Sequence, residues 1–313
     1  RAGAVGFVGV NSEMSGCTLF DTQIEIHGNL TTSSSYLGGI VSHIQSSTTA
    51  FAGIVEGEIA TKIKDITVKN SNVNVSGNVE VQSYVGSGFG RVEGVTSTTV
   101  APQPTSITGI KFKNDGKTGI SKVTIGTTPS TNTINYVRTG VAGMAYLNVI
   151  IDDWEIENNN IQINGKFQST ASHIGGCVGT LQSNNNGPVK VSNAKITESD
   201  IIAINGDVDT KEVYVGGAFG RIEPNNKDQN KSPHVEEINI AGLDISFGGD
   251  FKQNVYAGGI AGYLTAVNSS ISDPSSIVNC YVKGQIHSNG NHTFKENATY
   301  AFGGIVGYTG QSD

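Results

Sequence analysis

One phrase recurs along the whole chain and constrains it more than any other feature. Its clearest copy is Val255-Tyr-Ala-Gly-Gly-Ile-Ala-Gly-Tyr-Leu264, matched by Val213-Tyr-Val-Gly-Gly-Ala-Phe-Gly-Arg-Ile222 and Tyr300-Ala-Phe-Gly-Gly-Ile-Val-Gly-Tyr308. Further copies are Ser83-Tyr-Val-Gly-Ser-Gly-Phe-Gly-Arg-Val92 and Ser172-His-Ile-Gly-Gly-Cys-Val-Gly179. Looser ones begin at Tyr36 and Tyr136, and the chain opens inside another, Val5-Gly-Phe-Val-Gly9. A short unit of this kind cannot bury its apolar face alone and must stack on its neighbours, so the fold is a repeat array. The 41 Gly fall at fixed places in the repeat, which assigns them to bends of a strand-rich unit rather than to a flexible linker.

Two apolar-x-apolar segments precede each phrase. The first reads Cys17/Leu19, Ile66/Val68, Ile110/Phe112, Trp154/Ile156, Ala194/Ile196, Ile238/Ile240 and Cys280/Val282. The second reads Ile24/Ile26, Val73/Val75, Val123/Ile125, Ile161/Ile163, Ile202/Ile204 and Leu243/Ile245, usually with a Gly after it. Each unit thus offers three short strands of period two, and no long segment keeps a helical period. The phrase's final Gly or its equivalent falls at 9, 42, 90, 143, 179, 220, 262 and 307, so the unit length varies while its strands keep theirs. Connections that swell without disturbing the strands fit a solenoid, where loops project outward. The pattern predicts an all-β chain: a right-handed parallel β-helix of about seven coils, three short strands per coil, forming one repeat domain over residues 1–313. A β-sandwich is the runner-up. The partial copy at Phe51-Ala-Gly-Ile-Val55 is out of register with the rest.

A net charge of −7 without a Lys/Arg block argues against a nucleic-acid partner. No apolar run approaches the roughly 20 residues that span a bilayer. The 3 Cys lack CxxC spacing, and Cys17 and Cys280 share a repeat position held elsewhere by Ile, Ala or Trp, so each reads as a small buried hydrophobe. The start and finish inside motifs, with no capping segment, predict an excerpt of a longer protein.

The phrase Tyr-Ala-Gly-Gly-Ile-Ala-Gly-Tyr, with Val278-Asn-Cys-Tyr-Val282 upstream, resembles the GLUG-type repeat, and the resemblance covers most of the chain. GLUG-type repeats occur in bacterial immunoglobulin-A-protease-like proteins and adhesin-like surface proteins, with similar repeats in protist surface proteins. The resemblance implies a β-helical stalk or adhesive segment, with catalysis housed elsewhere. The metallopeptidases of that group carry His-Glu-x-x-His, and none of the 6 His here has that spacing, so their activity does not carry over.

Four sets of residues are weighed as sites. Asp65, Asp153, Asn193, Glu237 and Asn279 form a polar column just before the first inward position. Asp153 and Glu237, two coils and so about 10 Å apart, resemble an inverting carboxylate pair of a polysaccharide lyase or hydrolase; stacked turn residues are the plainer reading. Arg91-Val-Glu93 and Arg221-Ile-Glu223 are matched positions, read as local ion pairs. The Tyr heading the phrase (Tyr36, Tyr84, Tyr136, Tyr214, Tyr256, Tyr300) form a strip that either fixes register by stacking or binds a partner. Asn-x-Ser/Thr sequons stand at Asn29, Asn74, Asn230, Asn268, Asn291 and Asn297, and Asn268, Asn291 and Asn297 fall in expected loops.

These readings converge on a non-enzymatic, extracellular, cell-surface structural or adhesive segment without metal or cofactor. Its expected partners are a protein or glycan surface, or further copies along the solenoid.

Overall fold

The computed structural model describes residues 1–9, 11–31, 33–45, 61–94, 103–113, 121–183, 187–197, 200–224, 231–266, 273–289 and 292–311; the Phe51–Val55 copy lies outside them. The described residues form strands and no helix. Every strand pairing among them is parallel, which excludes the sandwich alternative, whose sheets are built from antiparallel neighbours. The strands form two broad sheets, of 13 and 12 strands, and a small one of 2. A strand that pairs only with its counterparts one repeat before and after gives a stack of ranks, the β-helix-like arrangement the repeat calls for.

The first upstream segment sits in the register its alternation predicts. Leu19 pairs with Val68, Ile66 with Ile110, Ile110 with Trp154, and Trp154 with Ala194. All of these except Leu19 are buried, in one contiguous core. Trp154 fills the space its small neighbour Ala194 leaves, stacks on Phe89 at 5.8 Å and donates from Nε1 to the Ile107 carbonyl at 3.3 Å. That hydrogen bond satisfies the one polar atom the indole would otherwise bury alone.

The corners explain the polar column. Gly16, Asp65, Gly109, Asp153, Asn193, Glu237 and Asn279 all stand in the left-handed region, with φ from 51° to 64°. Only Gly, and next Asn and Asp, enter this region at low cost, so the row's composition follows from its backbone everywhere but at Glu237. A second left-handed corner follows five residues on, at Asp21, Asn70 and Asn158, with Gly242 in the same role. The Asn70 carboxamide donates to Asp21 Oδ1 at 2.8 Å, tying one rank to the next. Elsewhere the bend demands Gly for space rather than φ. A Cβ on Gly206 would stand against the Gly165 carbonyl of the preceding rank, and one on Gly216 against its own unit's Phe219 carbonyl.

The structure corrects the sequence reading in three places. The unit has more than three strand segments: Leu30, Val79, Ile134, Phe167, Val208, Phe251 and Phe294 form an extra ladder of single bridges, and Ile63, Ile107, Ile151, Val191 and Val235 form an extra buried row upstream. Ile245 and Phe247, rather than Leu243 and Ile245, continue the second segment, pairing with Ile202 and Ile204. Leu243 keeps the same inward alternation but pairs with Asp200, and the left-handed Gly242 bulges the strand where it pairs with Tyr281–Ser288. Finally, Val5 pairs with Val41 and Val8 with Ile44, which sets Gly6 rather than Gly9 opposite Ser42.

Candidate interaction surface

In the phrase Val213–Gly216, Val213 and Val215 enter the core and Tyr214 points the other way, as strand alternation requires. The chain then turns through Gly216 and Gly217. Phe219 and Ile222 return to the core, and Arg221 lies back over Tyr214, its Cζ 5.3 Å from the ring centre. Repetition turns this pair into two facing rows. The first runs Tyr36, Tyr84, Arg138, His173, Tyr214, Tyr256 and Ala301. The second runs His43, Arg91, Met144, Thr180, Arg221, Tyr263 and Tyr308.

Contacts join the rows at most ranks. Tyr36 stacks on His43 at 4.2 Å, Arg91 lies 5.3 Å over Tyr84, His173 Nδ1 is 2.6 Å from Thr180 Oγ1, and Tyr256 meets Tyr263 edge-on at 5.7 Å. Along the first row Tyr36 stacks on Tyr84 at 5.3 Å and Tyr214 on Tyr256 at 5.4 Å. Aromatic pairs of this geometry contribute about 0.5–1.5 kcal/mol beyond area burial, and partly desolvated cation–π contacts a comparable amount. The rings use their faces on each other. Tyr84 is 2% exposed, Tyr214 4% and Tyr256 7%.

Four of the six predicted tyrosines therefore form the row, and two do not. Arg138 takes the place aligned to Tyr136, which flanks it with its ring 5.0 Å from the guanidinium. Tyr300 pairs with Val255 on the inward row, donates to the Phe251 carbonyl at 2.7 Å and accepts from the Lys295 N–H at 2.9 Å. His43, Arg138, His173 and Tyr263 belong to the rows and were not singled out by sequence. Counting back from the phrase's first Gly, rather than searching for Tyr, finds Arg138 and His173.

Burial sets the electrostatics here. His173 is fully enclosed, and desolvation, aided by the charges of Arg138 and Arg221, holds its pKa well below the usual histidine range. Burial lowers His43 too, against the opposing pull of the Glu93 carboxylate 3.9 Å away. Glu223 is raised by burial although Arg221 pulls the other way. Burial moves the Tyr214 hydroxyl far up and Tyr256 up to about 12. The two Arg-x-Glu pairs close at 3.2 Å for Arg91–Glu93 and 2.6 Å for Arg221–Glu223. They are more buried than a surface ion pair, and both guanidiniums also sit on tyrosine rings.

Asp153 and Glu237 lie exposed on the left-handed corner with Asn193 in the rank between them, and Asn193 donates to Asp152 at 2.8 Å. Among the sequons, Asn297 is exposed in a turn at φ 70°. Asn29 is exposed at a corner, its Oδ1 accepting from the Asn78 N–H at 2.9 Å. Asn74 sits inside the strand Lys62–Val75. Asn230, Asn268 and Asn291 lie outside the described residues. Cys17 and Cys280 are half-buried against the core, Cys177 is within it, and all three are free thiols. Among the described residues no three His, Cys, Asp or Glu cluster as metal ligands, and no helix is long and apolar enough to cross a membrane. No family model, curated protein or solved structure matches this chain.

Proposed function

We propose that the chain is a non-enzymatic structural or adhesive segment of an extracellular surface protein, a GLUG-type right-handed β-helix of about seven coils. The observation that carries this reading is the facing pair of outer rows. An outer face whose aromatic and cationic side chains lock onto each other rank after rank couples each coil to its neighbours. A stalk, coat or filament element needs that coupling, because it must transmit load along its axis. The exposed turn at Asn297 adds an acceptor suited to N-glycosylation. Partners on this reading are a protein or glycan surface, or further copies along the solenoid axis.

The left-handed backbone gives Asp153 a conformational reason to stand at its corner, which favours the structural reading over the enzymatic alternative that pairs it with Glu237. Surface biotinylation of source cells, followed by glycopeptide mapping, tests the main reading. Labelled protein with sugar on Asn297 is expected, and protein found only inside the cell would overturn it. Polysaccharide cleavage by the chain that disappears in an Asp153→Asn, Glu237→Gln double variant would restore the enzyme.

A further inference from the structure

Polar side chains on the outer face of the 13-stranded sheet are mostly paired across ranks. Lys113 meets Glu155 and Glu157, Lys64 meets Glu13, Lys190 meets Glu236, Ser192 meets Asp152, and Gln285 and His287 meet Asp244. One patch gathers six polar side chains that make no bond across ranks. The strands Thr18–Ile26, Lys62–Val75 and Ser121–Ile125 set Gln23, Asn72 and Lys122 side by side in one row. The same strands set Glu25, Asn74 and Thr124 in the next. These six side chains line a concavity of about 410 Å³. Glu25 reaches only its own neighbour His27, at 3.1 Å. The side chains of Gln23, Asn72, Asn74, Lys122 and Thr124 make no hydrogen bond or ion pair with any described residue. Asn74 Oδ1 is buried there without a donor.

From this unpaired set we infer a binding site for a short neutral oligosaccharide. The unpaired carboxamides of Gln23 and Asn72 and the ammonium of Lys122 are not enclosed, so a ligand in the hollow can reach them. The lining offers carboxamides that donate and accept, a carboxylate that accepts, an ammonium that donates, and a hydroxyl that does both. Vicinal sugar hydroxyls, each donor and acceptor, complement such a mixture. No aromatic side chain lines the hollow, and Ile24 and Val73 give it an apolar floor against which the C–H face of a sugar ring can lie. Glu25 and Lys122 balance in charge, so neither an acidic nor a basic ligand gains from the pair. The volume lies at the small end of ligand sites, enough for one or two sugar rings. Alternation alone presents these residues: Ile24, Val73 and Val123 are buried while both flanking positions on each strand face out.

The inference deepens the surface-adhesion reading and rests on it, yet it can fail separately. The full 313-residue chain, produced in a host without N-glycosylation so that Asn74 is bare, is titrated by calorimetry with lactose, cellotriose, mannotriose and chitotriose. At least one is expected to bind, and Asn74→Ala and Gln23→Ala are each expected to weaken it about tenfold without moving the thermal midpoint, the loss of one or two hydrogen bonds. Gln285→Ala, on the same sheet but in a paired cluster, is the control and leaves the affinity unchanged. If Asn74→Ala fails to fold, Asn74→Asp and ligand-induced NMR shifts of the Gln23 and Asn72 side-chain amides give the same reading. Overturning results are no binding by any of the four sugars, or binding that Asn74 and Gln23 variants leave intact. A chain that reaches the cell surface but binds none refutes this site alone. A chain that binds yet is confined inside the cell refutes the adhesion reading alone.

Discussion

Glu237 tests the corner argument most sharply, because it is the one long side chain in the left-handed row of Gly, Asp and Asn. At φ 57° it is exposed; its backbone N–H donates to the Val278 carbonyl at 3.1 Å, but its side chain makes no hydrogen bond or ion pair with any described residue, so replacing the side chain removes no polar contact. A non-glycine residue in this conformation costs about 1–2 kcal/mol. Glycine relieves that cost but frees the unfolded chain by roughly 0.5–1 kcal/mol. The net for Glu237→Gly is a gain of about 0.5–1 kcal/mol. Gly109, in the same row, already shows that glycine fits there. Glu237→Val, with a β-branch that the left-handed region tolerates poorly, loses about 1 kcal/mol or more. Urea unfolding followed by far-ultraviolet circular dichroism measures both, provided the slope stays constant across variants. In a chain of this size the gain appears as a rise of about 2 °C in the thermal midpoint. A Glu237→Gly variant less stable than the parent, or a Glu237→Val variant equal to it, would show that the side chain rather than the backbone fixes this position.

The remaining predictions concern the core, the tight corner and the buried histidine. Trp154→Ala, at a site with 0% exposure, is expected to cost about 3–5 kcal/mol by urea unfolding. Gly206→Ala, which places a methyl against the Gly165 carbonyl, is expected to cost about 1–3 kcal/mol and to lower the thermal midpoint, whereas Gly304→Ala, in open space, leaves it unmoved. His173 is held neutral, so its folded pKa lies below the unfolded value of about 6.5. The unfolded state therefore binds the extra proton first, stability is fully present above about pH 6.5, and it declines as pH falls from there toward the folded pKa. A His173→Gln variant is expected to flatten that acid limb in midpoints measured from pH 7.5 to 5.

What was legible in the sequence follows from what repeats. Inward residues recur because each packs on its own counterpart one rank away, so the row through Ile66, Ile110, Trp154 and Ala194 could be aligned without coordinates. The polar column Asp65, Asp153, Asn193, Glu237 and Asn279 was also visible, but its cause was not: Asp and Asn suit a carboxylate cleft and a left-handed corner alike, and only φ separates them. Single-bridge ladders such as Val79, Ile134 and Phe167 escape a search for period two, because one inward residue between two bends has no alternation to display. The outer row was half legible. Tyr36, Tyr84, Tyr214 and Tyr256 announce themselves, whereas Arg138 and His173 hold the same position with different chemistry.

That substitution of Arg and His into a tyrosine row points to a general test for function on such a face. Stacking needs only a flat or cationic partner for each ring, so Tyr, His and Arg exchange freely wherever the row's task is to hold ranks together. The near-complete burial of Tyr84, His173 and Tyr214 marks the row as such a place, with little ring surface left for a ligand. Residues kept for binding leave the opposite trace: polar groups set side by side with polar groups of the next rank that still do not pair with them. Gln23, Asn72, Asn74, Lys122 and Thr124 leave that trace, on a sheet where Lys113, Lys64 and Lys190 all found partners. On a solenoid, where each rank supplies partners for the next, an unpaired hollow is therefore a stronger pointer to a ligand than a conspicuous aromatic strip.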